Sequence, residues 1–143
     1  MRFEPISLGD SVTIKGRTLT PLPAAHTVPA IGYRLDGVGG TAMAFSGDTG
    51  PNPAFWAAVN QIRNLKALIV ETAFPDHESA LADASKHMCP SMLVDQLMLL
   101  ELDVDLFITH LKPGDIEVTM DQIVRDAARW KPRMLKVGQT FSF

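Results

Sequence analysis

The stretch Thr41-Ala42-Met43-Ala44-Phe45-Ser46-Gly47-Asp48-Thr49-Gly50 decides the fold. Thr41 to Phe45 reads as a short apolar strand, and it breaks at once into a small, polar, glycine-flanked turn. The glycines let the backbone bend sharply, so the Asp48 carboxylate can point out of the strand end. A carboxylate has two oxygens and can bridge two metal ions. Taken alone, Asp48 also reads as a plain cap of the turn or of the helix that follows.

Upstream of this stretch the pattern is strand on strand. Ser11 to Ile14 alternates polar and apolar, Lys15-Gly16 can turn, and Arg17 to Leu22 runs on as a partner. Ile31 to Leu35 is a third strand, and Gly37 to Gly40 is a glycine-rich turn. Downstream the rhythm changes to helix and strand. Pro53 to Ile62 has helical spacing, with Phe55, Ala58, Val59 and Ile62 on one side. Ala67 to Val70 is a buried strand, and Pro90 to Leu100 is a second helix. Leu106 to Thr109 is a strand, Met120 to Trp130 a third helix, and Arg133 to Val137 a closing strand. This alternation predicts an α/β (α+β) fold, one mixed β-sheet with helices on one face. Asp48, Glu71 and His110 each fall just past the end of an apolar strand, where ligands of α/β sheets bind.

The 143 residues suffice for one domain, taken as 1–143. Charged residues are 20% and hydrophobic ones 46%, a globular composition that argues against disorder. A net charge of −3 leaves no basic footprint, so no nucleic-acid partner is expected. The single cysteine, Cys89, excludes an internal disulfide and fits a reducing compartment. No stretch is long and apolar enough to span a membrane. The start, MRFEPISLGD, has no apolar signal region, so a cytoplasmic location is expected, or a periplasmic one if a preceding leader is lost.

Four further segments carry chemistry. His110, in Phe107-Ile108-Thr109-His110-Leu111-Lys112-Pro113, follows a buried strand and can offer a ring nitrogen to a metal. His26 lies in Ala24-Ala25-His26-Thr27-Val28-Pro29, before a proline-stiffened turn. Glu71 opens Glu71-Thr72-Ala73-Phe74, and His87 stands in Ser85-Lys86-His87-Met88-Cys89-Pro90 before a helix. A buried Glu71 bonded to His87 can hold the imidazole in one tautomer and let it protonate a leaving oxygen. Each also has a bland reading: a surface histidine, a loop histidine, a helix start with Pro90 in its first turn. His77, in Pro75-Asp76-His77-Glu78, reads as solvated surface.

Taken together, the ordered motifs HTVP…GY, SGDTG, ETAFP, SKHMCP and ITHLKP resemble the second half of the metallo-β-lactamase superfamily over nearly the whole chain. They look most like the class II cyclic-nucleotide phosphodiesterases, whose relatives include the tRNA 3′-processing endonucleases. The resemblance implies half of an αββα sandwich and metal-dependent hydrolysis of a phosphodiester, with a 3′,5′-cyclic nucleotide (cAMP) opened to the nucleoside 5′-monophosphate. It implies two divalent ions, zinc or else manganese, with His26 binding one, Asp48 bridging both and His110 binding the second. His87 and Glu71 would form a proton-relay pair.

The superfamily's His-x-His-x-Asp-His signature is absent from this chain. The resemblance then leaves two protein ligands per ion where catalytic zinc usually keeps three, so the isolated chain is expected to bind metal weakly and to be inactive or weakly active. The sheet face that the other half covers is expected to be apolar and bare, and to call for a partner: a missing N-terminal half, a second polypeptide, or a second copy in a homodimer. Other hydrolases of the same fold, acting on RNA, a lactone or a thioester, remain as alternatives, as does a non-catalytic dimerising remnant.

Overall fold

A computed structural model of the chain describes residues 5–142. Strand β1 (Val12–Ile14) turns into β2 (Arg17–Pro23) through Lys15 and Gly16, whose φ values of +50° and +76° suit a two-residue hairpin loop. β2 pairs antiparallel with β3 (Ile31–Asp36), and β3 pairs antiparallel with β4 (Ala42–Phe45). From β4 onward the pairing is parallel, through β5 (Leu65–Glu71), β6 (Asp105–Thr109) and the short β7 (Arg133–Met134). The result is one mixed seven-stranded sheet in simple sequence order.

Parallel neighbours need crossover connections, and helices supply them here. Helix α1 (Pro53–Val59) joins β4 to β5, α2 (Ser79–Ser85) and α3 (Pro90–Leu97) join β5 to β6, and α4 (Ile116–Asp126) joins β6 to β7. Pro53 and Pro90 sit in the first turns of α1 and α3, where a missing N–H leaves no bond unmade.

The main core lies between the sheet and α1, α3 and α4. Phe55, Trp56 and Val59, then Leu93, Leu97 and Ile123, pack on Ala42, Ala44, Leu68, Val70, Leu106 and Ile108, which alternate along β4 to β6. Gln96, buried in this layer, uses one side-chain oxygen to accept the Trp56 indole N–H at 3.0 Å and the Asn52 amide at 2.8 Å. That oxygen ties α3 to the start of α1.

The other face of the sheet is barer, as expected. Ala67, Ile69 and Phe107 form a small cluster there, flanked by Met43, Phe45, Leu135 and Phe141. Directly opposed strand residues share a face, and the pairs Val12–Leu19, Leu19–Leu35, Leu35–Met43 and Tyr33–Phe45 carry this apolar surface across the antiparallel strands. Leu19, Tyr33, Leu35, Met43 and Phe45 are only half-buried, and Val12 and Ile14 are 42% and 56% exposed.

Several boundaries differ from the sequence reading. α2 was not expected: the polar Pro75–Glu78 segment runs through a 3-10 turn directly into it. α1 stops at Val59 and α3 at Leu97, each three residues short of the expected end. α4 begins at Ile116 rather than Met120, because its first turn exposes Ile116 and Val118 and so lacks an apolar stripe. It ends at Asp126, and a separate 3-10 turn covers Ala128–Trp130. β7 stops at Met134, before the fully exposed Val137. Glu71 is the last residue of β5 rather than the first beyond it. The first four residues of MRFEPISLGD, read as lacking a signal segment, lie outside the described residues. Among the described residues, no helix is long and apolar enough to cross a membrane.

Candidate metal centre

The carboxyl ends of β4, β5 and β6 open side by side, and the loops after them hold the chemistry. After β4, Gly47 has φ +64°, and a Cβ on it would lie 2.5 Å from the Ile31 carbonyl oxygen. A Cβ on Gly32 would meet the Phe45 oxygen at 2.5 Å. The two glycines let the Ser46-Gly47 backbone lie against the start of β3. That contact turns the chain so that Asp48 emerges half-exposed while Ser46 and Thr49 are buried on either side of it.

Ser46 and Thr49 hold the site together, and the sequence reading gave them no role. The Ser46 hydroxyl accepts the Glu71 backbone N–H at 3.0 Å. The Thr49 hydroxyl accepts the Ala25 N–H at 2.9 Å, and the Gly50 amide donates to the Ala25 carbonyl at 2.9 Å. These bonds fix the loop carrying His26. The His26 Nδ1 lies 3.1 Å from the Lys86 carbonyl oxygen, so the neighbouring Nε2 is left free.

Glu71 has no exposed surface. Its carboxyl accepts the Thr49 amide at 3.0 Å and the Met88 amide at 3.4 Å, and stands 2.7 Å from Nδ1 of His87. Burial pushes the Glu71 carboxyl up to about 8, against the pull of those two amides. Burial likewise pushes His87 down to about 4, assisted by His110, His26 and Lys112 nearby. Both shifts keep the pair free of net charge, with one proton held between carboxyl and imidazole.

The five residues singled out in the sequence do converge. The His87 ring stacks on His110 at a centroid distance of 5.0 Å and lies 4.8 Å from His26. His110 Nδ1 is 3.5 Å from an Asp48 oxygen. His110 itself has φ +65°, a conformation costing a non-glycine residue about 1 kcal/mol or more, of the kind that functional sites retain. Burial lowers its pKa, with Asp48 opposing. His77 is exposed, as read from the sequence.

One atom each from His26, Asp48 and His87 lies within 4.8 Å of the other two, a spacing that can hold a single ion. The trio in mutual reach thus includes His87, expected as a proton relay, and not His110. The donor set suits a divalent metal. Both histidines engage Nδ1 with an oxygen, the Lys86 carbonyl or the Glu71 carboxyl, as metal-ligating histidines habitually do to orient the other nitrogen. Lys112, which the sequence reading passed over, places its ammonium 3.0 Å from His110 Nε2.

No protein-family model matches the chain, and no curated protein matches it by sequence. Solved structures do match. A metallo-β-lactamase fold protein, YhfI from Bacillus subtilis, aligns with a TM-score of 0.75 at 17% identity, covering 96% of this chain and 54% of that one. Unliganded yeast PDE1 aligns with a TM-score of 0.73 at 15% identity, over 92% of this chain and 47% of that one. Zn²⁺-bound PqqB from Methylobacterium extorquens aligns with a TM-score of 0.64 at 15% identity, over 96% and 51%. The chain spans about half the length of these structures, and its mixed sheet with helices is half of a metallo-β-lactamase fold.

Proposed function

We propose that the chain is the C-terminal half of a metal-dependent hydrolase that cleaves a phosphodiester, with a 3′,5′-cyclic nucleotide such as cAMP as substrate and the nucleoside 5′-monophosphate as product. The observation that carries this is the buried Glu71–His87 pair, 2.7 Å apart, at the mouth where His26, Asp48 and His110 converge. His26, Asp48 and His110 would hold the metal. When bound, two divalent ions, zinc or manganese, supply positive charge to the phosphoryl group and lower the pKa of water.

The chain's own part is to position and to move a proton. Asp48 presents its carboxylate from a turn whose backbone is clamped against β3. His87, its Nδ1 against the Glu71 carboxyl, offers Nε2–H to the leaving 3′-oxygen. As that proton departs, the Glu71 carboxyl, which burial in the metal-free chain holds protonated well above the usual carboxylate range, returns one to Nδ1. His87 thus stays neutral throughout, which its lowered pKa favours.

The apolar second face of the sheet supports a partner that covers it: the N-terminal half, a second polypeptide, or a second copy of the chain. Cytoplasmic residence is proposed with the same reading. The test is cyclic AMP hydrolysis by the full-length enzyme, with and without Asp48→Ala. Loss of turnover in the variant is expected, and unchanged turnover removes Asp48 from the mechanism.

One observation favours a second reading of His87. Because it lies in the trio with His26 and Asp48, it can serve this chain as a third metal ligand oriented by Glu71. Metal content separates the two roles: His87→Ala keeps the metal if His87 is a relay and sheds it if His87 is a ligand.

A further inference from the structure

We propose that Lys112 anchors an anionic oxygen of the substrate and thereby selects a charged phosphodiester over a neutral ester, lactone or thioester; this rests on the hydrolase reading above. The Lys112 amide donates to the Ala73 carbonyl at 3.1 Å, two residues from Glu71. The ammonium sits 5.6 Å from the centroid of the Phe74 ring, and Phe74 is itself tied to the Met88 carbonyl beside His87. The amine is therefore seated on the site's own loops rather than trailing into solvent.

Its partner is the unusual part. In the metal-free chain Nζ lies 3.0 Å from His110 Nε2, a contact that a metal ion on His110 would release. Among the described residues Lys112 makes no ion pair, whereas Lys86, Arg34, Arg125 and Arg133 all do. His110 carries Lys112 on Nε2 and Asp48 beside Nδ1, so ammonium and carboxylate flank one ring. His110 lies against this cation and the His87 ring stacks on His110 behind it. A half-buried cation with no carboxylate partner is costly when nothing anionic is bound, and the cost is recovered when an anion arrives. The ammonium's N–H groups are then free to meet it. A phosphodiester carries a formal negative charge on its non-bridging oxygens; esters, lactones and thioesters do not.

The experiment compares Lys112→Met and Lys112→Arg with the wild-type, zinc-loaded full-length enzyme. Three quantities are read: bound zinc, the Kd for inorganic phosphate by calorimetry, and KM for bis(p-nitrophenyl) phosphate against p-nitrophenyl acetate. Removing one charge-assisted hydrogen bond should weaken phosphate binding and raise the phosphodiester KM by about 10- to 100-fold. Zinc content and hydrolysis of the neutral acetate should be unchanged, and Lys112→Arg should restore most of the loss. Equal losses on both esters, or loss of zinc, would show that Lys112 merely orients His110 and would overturn the proposal. An unchanged phosphate Kd overturns it as well. If the wild type cleaves neither ester, the hydrolase reading fails by itself, and the phosphate Kd series still decides the role of Lys112.

Discussion

The Glu71–His87 pair makes the metal-free chain's stability fall as pH rises from 6.5 to 8. The ordinary value for Glu71 is 4.5 and burial raises it to about 8; for His87 the ordinary value is 6.5 and burial lowers it to about 4. A raised pKa contributes stability that is complete below the unfolded value and is lost as pH climbs through the folded one. A lowered pKa contributes stability present above the unfolded value and lost as pH falls through the folded one. Counting protons on the pair, the folded state holds one from about pH 4 to about 8. The unfolded state also holds one between 4.5 and 6.5, on histidine, so the pair contributes no slope there. Above 6.5 the unfolded state holds none and the folded state still holds one, so each pH unit costs about 1.4 kcal/mol, or about 2 kcal/mol over the window. The count is the same whether the proton sits on Glu71 or on His87. His110, also lowered, acts only below its ordinary 6.5. Urea unfolding of the metal-free chain should show this as a midpoint lower by about 1 M at pH 8 than at pH 6.5. Glu71→Gln, which cannot ionise, should stay level across the same window. A wild-type midpoint that is flat or rising, or a Glu71→Gln protein that falls as steeply, would refute the assignment.

Gly47→Ala places a Cβ 2.5 Å from the Ile31 carbonyl at a φ of +64°, so strain and overlap together should cost about 2 to 4 kcal/mol. Because the turn must open, zinc affinity should drop with stability, and retained affinity in a folded variant would show that Asp48 is not placed by that contact. Thr49→Val keeps the shape but leaves the half-buried Ala25 N–H without its partner, at about 1 kcal/mol by urea unfolding. The His26 ring resonances should shift in the same variant while those of the exposed His77 stay in place.

The seven strands and the parallel half were legible because β4, β5 and β6 are short apolar runs that stop at polar residues. The convergence of Asp48, Glu71 and His110 was legible because those stops are where a parallel sheet exposes side chains, whereas His26 and His87, in the β2–β3 and α2–α3 loops, were tied to the site only by the resemblance. α2 was not, since Ser79–Ser85 buries only Ala82 and so shows no apolar face. Lys112 and Thr49 were hidden for a different reason. Thr49 meets the Ala25 amide 24 residues away, too far in sequence to mark a pattern, and Lys112, only two residues from His110, shows its part only once the loop places its ammonium against that ring.

The site and the bare face are built from different parts of the molecule, and this predicts how they respond to change. The bonds that set the site run through Ser46, Thr49, Glu71, Lys86 and Met88 at the strand ends, backed by the helix-side core. None of them involves Val12, Leu19, Tyr33, Leu35 or Met43, whose side chains make the exposed apolar surface. Charging the bare face should therefore alter association and leave the pair intact. Val12→Lys with Ile14→Lys changes two exposed positions on the edge hairpin, where each substitution costs little stability. Sedimentation velocity should find concentration-dependent association in the wild type and a monomer in the double variant, with the pH 6.5 to 8 stability loss preserved. A wild type that stays monomeric at high concentration, with its apolar face in water, would sink the idea that this face needs a cover. Loss of the pH response in the double variant would show instead that face and site are one cooperative unit.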